Sequence, residues 1–233
     1  MQHQLYMYGA VRRHIMERHD FYVEQVKKRL FSQFLDIEKE ADTHANETYN
    51  SMGRYATEYD DPADYAEAAH EAGVEHYLML SDLHNQVLLG ALAGMYHQWE
   101  KDLRQFLARE LRHTCPPETE TAVWKENIGE VFDLLKRFGW DCRNAIFFPA
   151  LDASRLIVNV YKHGNGNGLE HLSKKYPEFL FGYDAELDTL PYRLDHELLT
   201  ITEDQFAELA DGVRRFWEAF PERCFYRGEE TDG

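Results

Sequence analysis

The chain has 233 residues, of which 44% are hydrophobic and 29% are charged. This balance excludes a disordered chain and favours a soluble globular protein with a sizeable core. The formal net charge of −17 disfavours binding to nucleic-acid phosphates or anionic membranes unless basic residues cluster on one face, and it favours a basic partner.

The three cysteines, Cys115, Cys142 and Cys224, are an odd number, and their spacing matches no zinc pattern. They predict reduced thiols, and we expect neither a metal nor a cofactor. No apolar run reaches the ~20 residues of a membrane span, and the first residues lack the apolar core of a signal peptide. We therefore expect a cytoplasmic protein without a membrane segment.

The first predicted helix runs from Tyr8 to Asn46, because apolar residues recur there at steps of three and four. The segment from Thr48 to Pro62 is rich in turn-forming residues and predicts a break. Asp61 and Pro62 then have the N-cap and first-turn preferences of a new helix.

A long apolar stripe predicts a central helix that ends near Leu111. Gly90 and Gly94 within it indicate a close approach by another helix, since Gly costs about 1 kcal/mol relative to Ala in a helix. The segment TCPPETETA predicts a loop. A further amphipathic helix is predicted from Val123 until Gly139.

Two more helices are predicted after this point. Pro149 marks the start or a kink of the first, and Gly164 is a typical residue just after a helix end. A short helix at residues 169–175 and an irregular acidic segment to about Leu199 follow it.

The last helix carries a local start signal and a stop signal. Thr202 and Gln205 have the spacing of a capping box, and Pro221 ends the helix. The only extended candidate is LLTIT, residues 198–202.

These elements predict an all-α fold, a single-domain antiparallel helical bundle with a long N-terminal helix and an additional C-terminal helix. We expect residues 1–60 to form the N-terminal helix and turn packed on the bundle, residues 61–220 the bundle, and residues 221–233 a flexible acidic tail.

The strongest candidate site lies in RLIVNVYKHG. On a helix, Arg155, Asn159 and His163 stand at i, i+4 and i+8 and share one slowly drifting stripe. Unpaired buried polar groups cost about 1–3 kcal/mol each, so the stripe predicts a cleft, a dimer seam or a water channel. The alternative is an ordinary helix end, where Lys162 and His163 interact with the helix dipole.

Two segments resemble the HEPN superfamily, helical-bundle proteins of bacterial toxin–antitoxin and phage-defence systems. LLGALAGMYHQWEKDLRQFL is similar to the family's second helix, with Tyr96, Glu100 and Leu103 at its aromatic, acidic and leucine positions. RLIVNVYKHG is similar to the late signature helix, which carries an Arg, an adjacent polar residue and a later His. Asn159 and His163 match the last two. The tail LLTITEDQFAELADGVRRFW also resembles the C-terminal helix of bacterial members.

The signature departs from the family at one position. Val158 stands where the Arg belongs, and the nearest Arg, Arg155, is one turn too early. The resemblance implies a homodimer whose signature helices form a cleft that cleaves RNA without metal. His163 is then the acid/base, which its ordinary pKa range suits. Asn159 orients it or the phosphate, and Arg155 or Lys162 replaces the missing Arg.

We expect Lys162, Tyr161 and Glu100 to contribute to substrate binding at this site. Three functions remain open: a metal-independent endoribonuclease, a non-catalytic interaction or regulatory protein that has lost the Arg, and a nucleotide-binding helical module. The expected partners are a second copy of the chain and either RNA or a protein such as an antitoxin.

Two weaker candidate patterns occur elsewhere in the sequence. Arg12 and His19 share a helix face and form a reserve pair of the same residue types. Glu67 and His70 have the spacing of di-iron bundles, but no second Glu-x-x-His motif accompanies them, so we do not predict a metal there.

Overall fold

The computed structural model describes residues 3–54, 57, 60–112, 115–184 and 194–228. It confirms the all-α class, as a helical bundle with a small two-stranded sheet. Within these ranges no helix has the length and apolar composition needed to cross a membrane. The helices are α1 (Gly9–Arg29), α2 (Ile37–Gly53), α3 (Pro62–Leu111), α4 (Pro117–Lys125), α5 (Ile128–Arg137), α6 (Phe148–His163), α7 (Asn167–Lys175) and α8 (Glu203–Ala219).

The chain divides into two compact units instead of the single domain expected from its length. Unit 1 comprises the residues up to Glu24 and those from Leu89 onward, and unit 2 comprises Gln25–Leu88. This division differs from the predicted boundary at residues 60 and 61. Its limits lie inside α1 and α3, where no Pro-, Gly- or Ser-rich linker signals a boundary in the sequence.

Aromatic side chains form the core of unit 1. The Trp99 and Phe216 rings meet edge to face with centroids 5.2 Å apart, and Phe106 and Phe220 do the same at 5.2 Å. Trp140 packs on Phe220 at 4.6 Å. Such edge-to-face pairs add about 0.5–1.5 kcal/mol each beyond the burial of their area. This core fixes α3 against α8.

In unit 2, α2 packs closely on the first half of α3. A Cβ atom at Gly73 would lie 2.8 Å from the Cβ of Ala45, so only Gly allows this approach. The Phe34 ring stacks on the His84 ring at 4.7 Å. Phe31, buried, also contacts His84.

The predicted helix from Tyr8 to Asn46 is two helices in the structure. A 3-10 turn at Phe31–Phe34 separates α1 from α2, and it brings both Phe31 and Phe34 onto His84. The helix after this turn continues to Gly53, through residues expected to form a turn. Tertiary packing at His84 overrides the continuous apolar periodicity here.

The helix predicted from Val123 to Gly139 is also two helices. α4 begins at Pro117, inside the segment expected to be a loop, because Pro suits the first helical turn and acidic residues follow it. Asn127 then starts α5, and its side chain accepts a hydrogen bond from the Glu130 amide.

The chain termini form the small sheet. β1 (Gln4–Tyr6) pairs antiparallel with β2 (Arg223–Phe225), and the buried Leu5 lies opposite the buried Cys224. The predicted flexible tail therefore begins with a strand, while residues 229–233 lie outside the described residues. The segment LLTIT makes only an isolated bridge from Leu199 to Leu180.

Several local predictions are confirmed. Thr202 and Gln205 form the complete capping box of α8, and Gly164, with φ of 67°, ends α6. Cys142 and Cys224 are buried free thiols. Part of the irregular acidic segment, residues 185–193, lies outside the described residues.

Candidate functional site on helix α6

α6 and α7 form an antiparallel helical hairpin that carries the predicted site. Pro149 lies in the first turn of α6, and the Gly164 amide donates to the Val160 carbonyl at its end. At one end of the hairpin Asp152 contacts Lys175, and at the other Asn159 lies against Gly168. We call this line of contacts between α6 and α7 the seam. Its side chains are therefore held by both helices.

Arg155 forms an internal ion pair. Its Nε and Nη2 atoms donate to Asp152 Oδ1 at 3.1 and 2.6 Å. Asp152 is buried, and its Oδ2 atom accepts from Lys175 Nζ at 2.9 Å and from the Tyr176 hydroxyl at 3.2 Å. One carboxylate thus serves two cations and a phenol, so two donors of Arg155 are occupied within the fold while the cluster keeps one net positive charge.

Electrostatics of the seam agree with this geometry. Burial alone raises the pKa of Asp152, but the hydrogen bonds and charges of Arg155 and Lys175 outweigh it and lower the pKa. For Tyr176, burial and the neighbouring Asp152 carboxylate raise the pKa to about 12. Asp152 therefore remains ionised and Tyr176 remains a neutral donor near pH 7.

Glu100, predicted to bind substrate, is bound by Arg104 instead. Its Oε1 atom accepts from Nε and Nη2 of Arg104 at 2.9 and 2.6 Å. Arg104 is buried, and its Nη1 atom donates to the Val123 carbonyl at 2.5 Å. The bond from Arg104 Nη1 to Val123 ties α3 to α4, and the pair with Glu100 lies within α3. The Glu100 Oε1 atom is therefore bound within the fold.

Tyr96 lies within electrostatic range of both ion-pair networks. Its pKa is raised, first by burial and then by the Glu100 carboxylate, while Arg155 acts in the opposite direction. Tyr96 on α3 therefore lies near Arg155 and Asp152 of α6 as well as near Glu100.

Asn159 is exposed and packs against the start of α7. A Cβ atom at Gly168 would lie 2.6 Å from Asn159 Nδ2, so the last Gly of the GNGNG segment provides space for this amide. Asn165, in the same segment, donates to Asp195 Oδ2 at 3.0 Å and accepts from the His196 amide at 2.8 Å. The glycine-rich turn is fixed by residues thirty positions later in the chain.

Lys162 and His163 are exposed at the C-terminal end of α6. Among the described residues, no hydrogen bond or ion pair involves the His163 side chain. Tyr161 lies on a different face, where its hydroxyl is 3.6 Å from the position of a Cβ at Gly90. The structure brings Arg155 and Asn159 onto one seam, leaves His163 in solvent beyond it, and separates Tyr161 from all three.

The reserve pair Arg12 and His19 anchors α1 to α8. Arg12 Nη2 donates to the Phe220 carbonyl at 2.5 Å, and His19 Nε2 lies 3.0 Å from the Ala210 carbonyl oxygen. Burial lowers the pKa of His19, so near neutral pH the ring is uncharged and Nε2 carries the proton that Ala210 accepts. These two residues stabilise the fold.

Sequence reasoning missed the residues that complete the seam. Asp152 stands three positions before Arg155, a spacing typical of a helical ion pair, and this signal was present in the sequence. Lys175, Tyr176, Asp195 and His196 become neighbours only through the α6–α7 hairpin and the later turn. Across the described residues, no cluster of three or more His, Cys, Asp or Glu side chains could hold a metal ion.

Comparisons of the chain with protein-family models, with curated proteins and with solved structures found no match. The function must therefore be inferred from the chemistry of the described residues.

Proposed function

We propose that this chain is a non-catalytic, HEPN-like helical protein that acts by binding a basic protein partner. Two features of the predicted site support the loss of catalysis. Val158 occupies the expected Arg position, and Nε and Nη2 of the nearest Arg, Arg155, are bound to Asp152. A guanidinium whose donors are already bound has fewer of them to offer a phosphate.

The observation that carries the proposal is an exposed apolar stripe on the first half of α3. Val74 and Leu78 stand one turn apart, and their side chains are 46% and 56% exposed. Glu71, Glu75 and Asp82 follow the same helical face and are exposed. We call these five residues the acidic α3 face.

The charge of this part of the sequence favours a basic partner. From residue 55 to residue 100 the chain has nine Asp and Glu residues and no Lys or Arg. An identical face on a second copy would therefore meet like charges, which are unfavourable in an interface. An amphipathic helix with a basic rim matches both the apolar stripe and the carboxylates. The proposed partner is a protein segment of this kind.

The binding test uses two designed amphipathic helices of equal Leu spacing, one with Lys and one with Glu on the polar face. We expect the full chain to bind the Leu/Lys helix and not the Leu/Glu helix, measured by fluorescence anisotropy. The double substitution Val74→Ser/Leu78→Ser should weaken binding about tenfold, because burying the exposed half of each apolar side chain contributes on the order of 1 kcal/mol.

A matched control lies on another face of the same helix. Met79 and Leu83 are also one turn apart and are 56% and 52% exposed. Met79→Ser/Leu83→Ser should bind the Leu/Lys helix as the wild type does. Equal binding of both peptides, or no effect of the Val74/Leu78 substitutions, would overturn the proposed face.

The ribonuclease hypothesis remains the second candidate function, because Asn159, Lys162 and His163 are all exposed on α6. It requires cleavage of a structured RNA that persists in EDTA and is lost in His163→Ala. It also requires a dimer in solution, which light scattering coupled to size-exclusion chromatography measures. Cleavage with these properties would replace the non-catalytic proposal, and no cleavage by folded wild type would leave it standing.

A further inference from the structure

The charge of α3 changes after residue 100, where basic side chains lie along one stripe of the helix. Lys101, Arg109 and Arg112 stand with Gln98 and Gln105 at steps of three and four residues. Together with α4 they line a groove of about 720 Å³ in unit 1. This groove contains three basic side chains and one acidic one, in a chain whose formal net charge is −17.

Two ties hold α4 along this stripe. Arg112 donates from Nε and Nη2 to the two carboxylate oxygens of Glu120 at 3.2 and 2.7 Å. Arg104 donates to the Val123 carbonyl from the neighbouring face of α3. Position 112 is thus tied to 120 and position 104 to 123, so α4 runs antiparallel to the end of α3.

Trp124 forms the aromatic wall of the groove. It follows Glu120 by one turn of α4, and its side chain is 47% exposed. Exposure of this size is unusual for a Trp that has a packed core beside it, and it leaves the ring available for stacking. The antiparallel ties place this ring at the end of the groove near Lys101.

The basic side chains of the groove differ in whether an acidic side chain already pairs with them. Arg112 is compensated by Glu120, and Arg109 Nε lies 3.6 Å from Glu110 Oε1. Within the described residues, Lys101 takes part in no ion pair. Lys101 and the exposed part of Arg109 are two turns apart, about 12 Å along the helix axis. An anionic group that enters the groove meets these two cations first.

We infer that the groove between α3 and α4 binds a nucleoside phosphate, with the base stacked on Trp124 and the phosphate held by Lys101 and Arg109. The side-chain amide of Gln105 can hydrogen-bond the base edge, whereas Gln98 Nε2 already donates to Asp102 Oδ1 at 3.0 Å. A simple anion would leave the exposed Trp124 ring without a function. The chemistry matches base stacking combined with phosphate contact.

The nucleoside phosphate has two possible sources, a free nucleotide and a unit of single-stranded RNA. Calorimetric titration of the full chain at low salt with AMP, adenosine, ribose 5-phosphate and an oligoadenylate separates the parts of the ligand. AMP should bind at least about tenfold more tightly than either fragment, since the base and the phosphate each contribute.

Substitutions then test the named residues. Trp124→Leu should weaken binding about 5- to 150-fold, the range expected for loss of one stacked base, whereas Trp124→Phe should retain most of it. Lys101→Gln should weaken binding by about tenfold or more. Lys174→Gln, an exposed lysine on α7 outside the groove, serves as the control and should have no effect. Circular dichroism checks that each variant is folded.

The outcomes separate the source of the ligand from the existence of the site. Oligoadenylate that binds more tightly than AMP, and depends on Trp124, identifies a unit of single-stranded RNA. Equal or weaker binding of the oligoadenylate identifies a free nucleotide. The inference is overturned if neither ligand binds, if ribose 5-phosphate binds as tightly as AMP, or if Trp124→Leu and Lys101→Gln bind like the wild type.

Discussion

Asp152 Oδ1 accepts two hydrogen bonds from Arg155, at 3.1 Å from Nε and 2.6 Å from Nη2. The same carboxylate reaches Lys175 across the α6–α7 hairpin. The polar stripe that the sequence predicts as a candidate active site is, at its Arg155 end, an ion-pair network around the buried Asp152 that holds two helices together. This relationship separates the structural residues of the stripe from its exposed end at His163.

Asp152→Asn should lower the free energy of unfolding by about 1–3 kcal/mol, because it removes the charge that compensates Arg155 and Lys175. All four Trp residues, at positions 99, 124, 140 and 217, belong to unit 1, so urea unfolding followed by Trp fluorescence reports on this unit. Asp211→Asn is the control, since the Asp211–Arg215 pair is exposed and should contribute less than about 1 kcal/mol. Equal losses in both variants would contradict a special contribution from Asp152.

The stabilising effect of Asp152 should also depend on pH. Its folded-state pKa is lowered from the ordinary value of 3.8, so the unfolded chain takes up the proton first as the pH falls. The contribution is therefore fully present above the unfolded-state pKa and is lost as the pH falls through the folded-state pKa. The stability difference between wild type and Asp152→Asn should be constant above about pH 5 and shrink in more acidic urea titrations. A difference that grows on acidification would contradict the sign.

His19 should make the protein less stable as the pH falls below 6.5. Burial, which outweighs the hydrogen bond to Ala210, lowers the folded-state pKa from the ordinary value of 6.5, so the unfolded chain binds more protons in this range. His19→Gln keeps a side-chain donor but does not titrate. Its urea midpoint should therefore fall less than that of the wild type between pH 7.5 and 5.5, and an NMR titration of the imidazole checks the cause. Parallel midpoint curves would exclude His19 as the titrating group.

The features that sequence could predict depend on residues close together in the chain. The capping box of Thr202 and Gln205, the helix end at Gly164 and the polar stripe of α6 all follow from spacings of eight residues or fewer. The β1–β2 pairing could not be predicted, because Leu5 and Cys224 meet only after the whole chain has folded. The pairing of Asp152 with Lys175 likewise required the hairpin, and the break at Phe31–Phe34 required the contact with His84.

The glycines illustrate the same limit. Gly90 was expected to allow close helix approach, but a Cβ there would make only an ordinary contact with Tyr161 at 3.6 Å. At Gly94 a Cβ would meet the Tyr22 hydroxyl at 2.6 Å, so this position accommodates a side chain of α1. A Cβ at Gly212 of α8 would lie 2.5 Å from the Cβ of Ala150 of α6, the shortest such distance at any described glycine, and neither residue has a distinctive sequence pattern.

Gly212→Ala should therefore destabilise unit 1, although Ala is the better helix former. The added methyl would overlap Ala150 and force α6 and α8 apart, at a cost of about 1–3 kcal/mol that exceeds the gain in helix propensity. Gly90→Ala is the matched control within a helix of the same unit and should be neutral or stabilising by up to about 1 kcal/mol. Urea unfolding followed by Trp fluorescence measures both, and a stabilised Gly212→Ala would contradict the close packing of α6 and α8.

The capping box of α8 offers a test of local stabilisation. Thr202 Oγ1 accepts from the Gln205 amide at 3.1 Å, and Gln205 Oε1 accepts from the Thr202 amide at 2.8 Å. Thr202→Ala leaves the Gln205 amide without a side-chain partner. It should lower the free energy of unfolding of unit 1 by about 0.5–2 kcal/mol, measured by urea unfolding. Thr121→Ala, at an exposed position within α4, should cost nothing or stabilise slightly, because Ala is the better helix former and no cap is lost. If the two substitutions have the same effect, water replaces the cap and α8 is held by its buried aromatic face alone.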